Sequence, residues 1–337
     1  MGETEKPGPG LPRWRGFNLQ EMYWAGGPQA WREDDFRFIR EFGFDFVRLP
    51  LNCRHWMVDG NPLVAREEDL ARLDRAVALG RQHGLHVCLN LHYAPGYSVN
   101  FRSRRGFNLW RDPPAQEAFC RLWRVLSDRY RDIEPAALSF DLVNEPPFLF
   151  TRGLTPGRYR RVMRRAVETI RAAGDTRWLI LNGVNMARRP CPGLEDLPRV
   201  AFSCRAYDPI ELTHHRAEWV WLRYRRRPVW PGMPDLFGRR WDRRRLERSL
   251  RPWLELARRG TGVHCGETGC CRHTPHEVYL AWLRDVLEIL GGAGIGWALW
   301  NFRGAFGVLD SGRDDVRYEP FYGHRLDRRL LELLQAF

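Results

Sequence analysis

The chain is 337 residues long, 44% of them hydrophobic, and carries a net charge of +13 from 54 basic and 41 acidic side chains. That is enough material for a large buried core, yet no apolar run approaches the roughly 18 residues of a membrane-spanning helix, so no membrane partner is expected. The positive balance rests on arginine, Lys6 being the only lysine; the arginines sit beside acids over most helical stretches, which argues for compositional bias and against nucleic acid as a partner.

The opening MGETEKPGPGLP lacks the apolar core of a signal peptide and reads as a flexible segment over residues 1–12, ahead of one domain over residues 13–337. A cytoplasmic location is expected, or a secreted one if the sequence is a trimmed mature form. Strand-like runs come first at Trp14–Leu19 and Phe44–Leu51. Glu67–Gly84 then places Leu70, Leu73 and Val77 at helical spacing, with Gly84 as a stop. His86–His92 is a strand, residues 114–130 a helix, and Leu138–Asn144 a strand that runs into Pro146 and Pro147. A helix over Thr155–Gly174 begins with Thr-Pro, a good cap and first-turn pair. Strands follow at Arg177–Gly183 and Arg199–Tyr207, and the dense RYRRRP (residues 223–228) reads as loop. GRRWDRRRLER (Gly238–Arg248) reads as a solvated helix start. The chain closes with a strand at Gly262–Glu267, a helix over Thr274–Gly294 that again starts Thr-Pro, and a strand at Ile295–Asn301.

Eight short apolar runs alternating with helices predict a parallel α/β architecture. Polar placement then separates a closed barrel from an open sheet. Arg48, His92, Asn144, Glu145, Tyr207, Glu267 and Trp300 all fall at or just past the C-terminal end of a strand. A (β/α)8 TIM barrel, closed as a single domain, gathers those ends around one mouth, whereas an open sheet scatters them. The glycine-rich GGAGIG (Gly291–Gly296) leads from helix into strand, the wrong order for a dinucleotide site. The eight cysteines lack C-x-x-C or zinc spacing and are expected as free core thiols, with Cys270–Cys271 the pair to watch.

Glu145 ends the fourth strand and Glu267 the seventh. Two carboxylates facing each other over a cleft suit cleavage of a glycosidic bond, one protonating the leaving oxygen and the other attacking the anomeric carbon. Like-charge repulsion and a neighbouring cation would set their pKa values apart. Arg48 is placed to be that cation, Asn144 to hold a sugar hydroxyl, Tyr207 to orient the nucleophile, and Trp300 to stack on a pyranose. His92 completes the set of strand-end polar residues.

These motifs, FVRLPL around Arg48, LHYAPG around His92, LVNEP around Glu145, CGETG around Glu267 and WALWNFRG around Trp300, resemble those of the family 5 glycoside hydrolases, the cellulase-like retaining enzymes. The resemblance runs from about Trp14 to the C-terminus. It implies a (β/α)8 barrel, hydrolysis of β-linked glucan- or mannan-type sugars with retention, and no metal or organic cofactor. It makes Glu145 the general acid/base and Glu267 the nucleophile, with Arg48, His92, Asn144, Tyr207 and Trp300 binding substrate around them. One departure stands out: the family shows His-x-Tyr at the sixth strand, and this chain has SCRAYDP, with Arg205 at the histidine position. An always-charged guanidinium beside Glu145 is expected to depress its pKa, against its use as an acid. His214 and His215 are candidates for part of the missing histidine's role. A barrel that binds carbohydrate, or an acidic glycan at RYRRRP, without efficient cleavage is the alternative reading.

Overall fold

The eight apolar runs become eight barrel strands: β1 (Arg15–Asn18), β2 (Phe46–Asn52), β3 (His86–Ala94), β4 (Leu138–Asp141), β5 (Leu179–Asn182), β6 (Val200–Ala206), β7 (Val263–Thr268) and β8 (Gly296–Leu299). Each pairs in parallel with the next, and β1 pairs with both β2 and β8, so the sheet closes on itself. The computed structural model describes residues 10–24, 26–58, 61–100, 106–220, 224 and 226–337. Most of the segment 1–12, and Arg223 and Arg225 of RYRRRP, lie outside them.

Among the described residues seven full helices pack outside the barrel: α1 (Glu33–Glu41), α2 (Glu67–Gln82), α3 (Pro113–Arg129), α4 (Pro156–Arg171), α5 (Arg243–Arg258), α6 (His276–Gly291) and α7 (Arg328–Gln335). In α3 the buried Ala115, Ala118, Phe119, Leu122, Trp123 and Leu126 form one helical stripe against the sheet. Many surface arginines close ion pairs, such as Arg129 with Glu67 and Asp74, which fits a compositional bias. Among the described residues no helix is long and apolar enough to cross a membrane.

Two local expectations are corrected. Thr155 caps α4 as expected, accepting from Arg158 N at 3.2 Å. Thr274 does not cap α6: its hydroxyl donates to Leu212 O at 2.6 Å, and Asp315 accepts from His276 N at 2.7 Å instead. The strand–helix alternation also breaks between β5 and β6. There the chain makes a left-handed turn, with φ of 56°, 62° and 55° at Asn185, Met186 and Ala187. Pro190, Pro192, Gly193 and Pro198 leave no uninterrupted stretch for a helix.

The barrel interior is layered. At the bottom Trp14, Phe46, Cys88, Ile180 and Ala298 form an apolar plug. Near the C-terminal ends the interior turns polar, with Asn18, Arg48, Asp141, Asn182, Ser203 and Arg205 all buried. All eight cysteines are buried free thiols, Cys270 and Cys271 included.

Candidate active site

The mouth of the barrel opens on a cavity of about 970 Å³, a size that suits a small ligand. Glu145, Glu267, His92, Tyr207, Trp300 and Arg205 line it. Arg48 and Asn144 do not: they lie behind the carboxylates with relative exposures of 1% and 0%. The expectation that they meet substrate directly is corrected to a supporting placement, because each spends its polar groups on protein partners.

Those partners form one network. Arg48 donates to Asp141 at 2.9 Å, to Asn18 at 2.9 Å, to Glu267 at 2.8 Å and to Asn144 at 2.9 Å. The planar guanidinium fork thus ties β2 to β1, β4 and β7. Asn144 Oδ1 also accepts from Arg205 at 2.6 Å, and its amide donates to His92 Nε2 at 3.1 Å. Burial and the two arginines push the His92 pKa far down, so its ring is neutral. With Nε2 accepting, the ring proton sits on Nδ1, which has no partner among the described residues.

Glu145 is set by its backbone. The β4 ladder ends at Asp141, three residues earlier than expected, although Asn144 N still donates to Leu91 O at 3.0 Å. Glu145 then turns into the left-handed region, with φ of 44°. For a non-glycine residue this costs roughly 1–2 kcal/mol, and it persists because both flanks are pinned. Glu145 N donates to Asn182 Oδ1 at 3.2 Å, and the Tyr97 hydroxyl donates to Glu145 O at 2.6 Å. Pro146 and Pro147 then prevent continuation of the strand.

Glu267 is aimed by a register shift in β7, between Cys265 and Glu267 against β6 and between Cys265 and Thr268 against β8. Its carboxylate accepts from Arg48 and, at 3.2 Å, from the Tyr207 phenol, and contacts Arg205 at 3.1 Å. Tyr207 stays a neutral donor, since burial and the two glutamates push its pKa well up.

Arg205 joins the two acids. Its Nε donates to Glu145 Oε1 at 3.1 Å while Nη2 contacts Glu267 Oε1 at 3.1 Å. Ser203 Oγ and Cys204 O, each at 3.0 Å, and Asn182 Oδ1 at 2.6 Å hold the rest of its fork. The expected depression of Glu145 is overturned: burial, then the charge of Glu267, outweigh Arg205 and Arg48 and push Glu145 up to about 7. His214 packs its ring on Tyr207 at 4.9 Å, and burial lowers its pKa to about 3. No hydrogen bond joins it or the buried His215 to Glu145 among the described residues, so Arg205 itself fills the histidine's place.

Sequence reasoning did not single out Asn18, Asp141 and Asn182, which carry the network, nor Tyr23, whose ring meets His92 at 4.8 Å and Trp300 at 5.9 Å. The available signal was a polar residue inside each apolar run: Asn in GFNL, Asp in SFDLVN, Asn in LILNG. Glu21 was missed as well. It lines the cavity after β1, burial and Asp35 push its pKa up to about 7, and its buried Oε2 has no partner among the described residues.

A closed parallel barrel with paired glutamates at the ends of β4 and β7, beneath an aromatic-walled cavity, defines a barrel glycosidase. The cellulase model, glycosyl hydrolase family 5, matches residues 2–305, and the chain belongs to that family. It is similar to endoglucanase C of Acetivibrio thermocellus, with 28% identity over 85% of this chain and 88% of the relative. A solved structure described as a glycoside hydrolase superposes with a TM-score of 0.91 at 35% identity, covering 96% of this chain and 99% of the other. Endoglucanase Cel5A of the hyperthermophile Thermotoga maritima superposes with a TM-score of 0.75 at 25% identity, covering 95% and 96%.

Proposed function

We propose that the protein hydrolyses β-linked glucan- or mannan-type oligo- or polysaccharides with retention, through a covalent glycosyl-enzyme. Glu267 attacks the anomeric carbon while Glu145 gives its proton to the departing oxygen. Glu145 then takes a proton from the water that releases the sugar. The observation that carries this reading is Glu145, a carboxyl raised to about 7 beside a second carboxylate that shares its arginine. A carboxyl of that pKa is protonated for the first step and ready to accept a proton in the second. The β-glucan preference rests on the relatives, several of which are endoglucanases.

The Trp300, His92 and Tyr23 rings form one wall beside Glu267, where a pyranose can stack. His92 Nδ1 carries a ring proton with no protein acceptor among the described residues, which fits a substrate hydroxyl as its partner. Arg48 and Asn144 act from behind by fixing the rotamers of Glu267 and His92.

The test uses aryl β-cellobiosides and β-mannobiosides. Glu145→Ala and Glu267→Ala each lose most turnover, roughly 10²–10⁴-fold or more. Azide restores Glu267→Ala with an inverted glycosyl azide, and Glu145→Ala with a retained one. Wild-type-like turnover in either variant sinks the mechanism.

A further inference from the structure

We propose that the leaving-group side of the cavity is built for an apolar aglycone, so that the protein cleaves β-glycosides of alkyl or aryl alcohols in preference to sugar–sugar bonds. This rests on the assignment of Glu145 as the proton donor.

The circular strand order sets the loops after β1 and β8 across the mouth from those after β4 and β5, with the loop after β6 beside the latter. The two sides differ in chemistry. The β1/β8 side presents Gln20, Glu21, Gln29, Arg32, Asp35 and Arg303 to the cavity, with Trp24 at its rim. Donors, acceptors and an aromatic face are what a chain of hydroxyls needs. The opposite side, continued by the loop after β6, presents Phe148, Met186 and Ile210, and Trp219 and Val220 carry this apolar surface on to Phe306 of the loop after β8. Among the described residues its polar lining beyond Glu145, Arg205 and Tyr207 is Tyr224, the His214 ring packed on Tyr207, and Arg188, which is tied up by Asp208 at 3.0 Å.

The apolar side adjoins the proton donor. Phe148 lies three residues beyond Glu145, and Met186 N donates to Pro146 O at 2.9 Å, which docks the left-handed turn on the Glu145 loop. The group that receives the Glu145 proton therefore leaves along this wall. Phe148 and Trp219 are 49% and 59% exposed, large apolar faces open at the rim of a concave site. Three of the five apolar residues, Met186, Ile210 and Val220, are aliphatic and offer neither a stacking plane nor a hydrogen bond to a sugar. A pyranose against these three gives up hydration of its hydroxyls without replacement, whereas an alkyl or aryl group gains burial.

The step balances without a co-reactant. The anomeric C–O bond breaks with its electron pair on the leaving oxygen, Glu145 supplies the proton to give the free alcohol, and a Glu267 oxygen bonds to the anomeric carbon. Water then releases the sugar.

Octyl β-cellobioside, below its micelle concentration, and cellotetraose deliver the same cellobiosyl unit to the enzyme, and octyl β-mannobioside and mannotetraose form the parallel pair. We expect kcat/KM for the octyl glycoside to exceed that for the tetrasaccharide at least tenfold. We also expect Phe148→Ser and Ile210→Asn to cut that ratio at least threefold. A ratio of one or below overturns the apolar leaving-group site and leaves the glycosidase standing. A high ratio that neither substitution moves overturns the assignment to this wall. Failure to cleave any of the four substrates overturns the function itself, and the inference with it.

Discussion

Arg205 Nε lies 3.1 Å from Glu145 Oε1, and the same guanidinium reaches Glu267 Oε1 at 3.1 Å, so one always-charged group couples the two acids. Arg205 lowers the Glu145 pKa, though burial and Glu267 outweigh it. Replacing it by methionine removes that cation and leaves Arg48 alone to oppose those two influences. The alkaline limb of kcat/KM in Arg205→Met then moves to higher pH, and kcat falls by on the order of 10²-fold as the acids lose their alignment. Arg205→Lys keeps the charge but not the fork, so its alkaline limb stays near that of the wild type while kcat still falls. A pH profile that moves to lower pH in Arg205→Met excludes this role.

Glu145 also ties stability to pH. Its folded pKa of about 7 lies above the ordinary 4.5. Between those values the folded protein holds a proton that the unfolded chain has released. The resulting stability is fully present below about pH 4.5 and is lost as pH rises through about 7. Glu145→Gln cannot titrate, so its unfolding free energy declines less over that window. Urea titrations of both proteins at several pH values from 4.5 to 8 measure the difference; parallel curves contradict the raised pKa.

The barrel was legible because its strands are apolar runs that each end in a polar side chain, and Arg48, Glu145, Tyr207, Glu267 and Trp300 stand out against their Val, Leu and Ala neighbours. What lay beyond reach was set through space. Glu145 is raised by burial and by a carboxylate 122 residues away, and no local pattern announces which influence wins over Arg205. Thr274 looks like a cap from its neighbours, yet its partner is Leu212 O, 62 residues earlier. The missed Asn18, Asp141 and Asn182 sit inside strand-like runs, where a polar residue reads as an interruption until the sheet closes and brings three of them to two arginines.

Gly266 lies where the β7 register shifts, and a methyl group there would meet Ser203 Oγ at 2.7 Å and Arg205 Nη1 at 2.9 Å. The guanidinium cannot swing aside cheaply, because Ser203 Oγ and Cys204 O hold that same nitrogen. Gly266→Ala is therefore expected to destabilise the fold by about 1–3 kcal/mol and to reduce kcat more than it raises KM. Thermal unfolding with steady-state kinetics on an aryl cellobioside measures both; unchanged kcat shows that Arg205 tolerates displacement.

Asn182 joins three parts of the site. Its Oδ1 accepts from Glu145 N at 3.2 Å and from Arg205 Nη2 at 2.6 Å, and its amide donates to Asp141 Oδ1 at 2.5 Å. Asp141 in turn holds Arg48 at 2.9 Å. Asn182→Ala leaves buried partners without a hydrogen bond, at about 1–3 kcal/mol for each group orphaned. It also removes the acceptor that steadies the left-handed Glu145, so the acid loses position and kcat falls. Asn182→Asp keeps the acceptor for Glu145 N but sets a carboxylate against Asp141 and beside Glu145, which moves the alkaline limb of kcat/KM upward. Both variants should unfold at lower denaturant than wild type, and only Asn182→Asp should shift the pH profile strongly. If Asn182→Ala instead retains full kcat, the strained turn at Glu145 is held by Tyr97 and the two prolines alone.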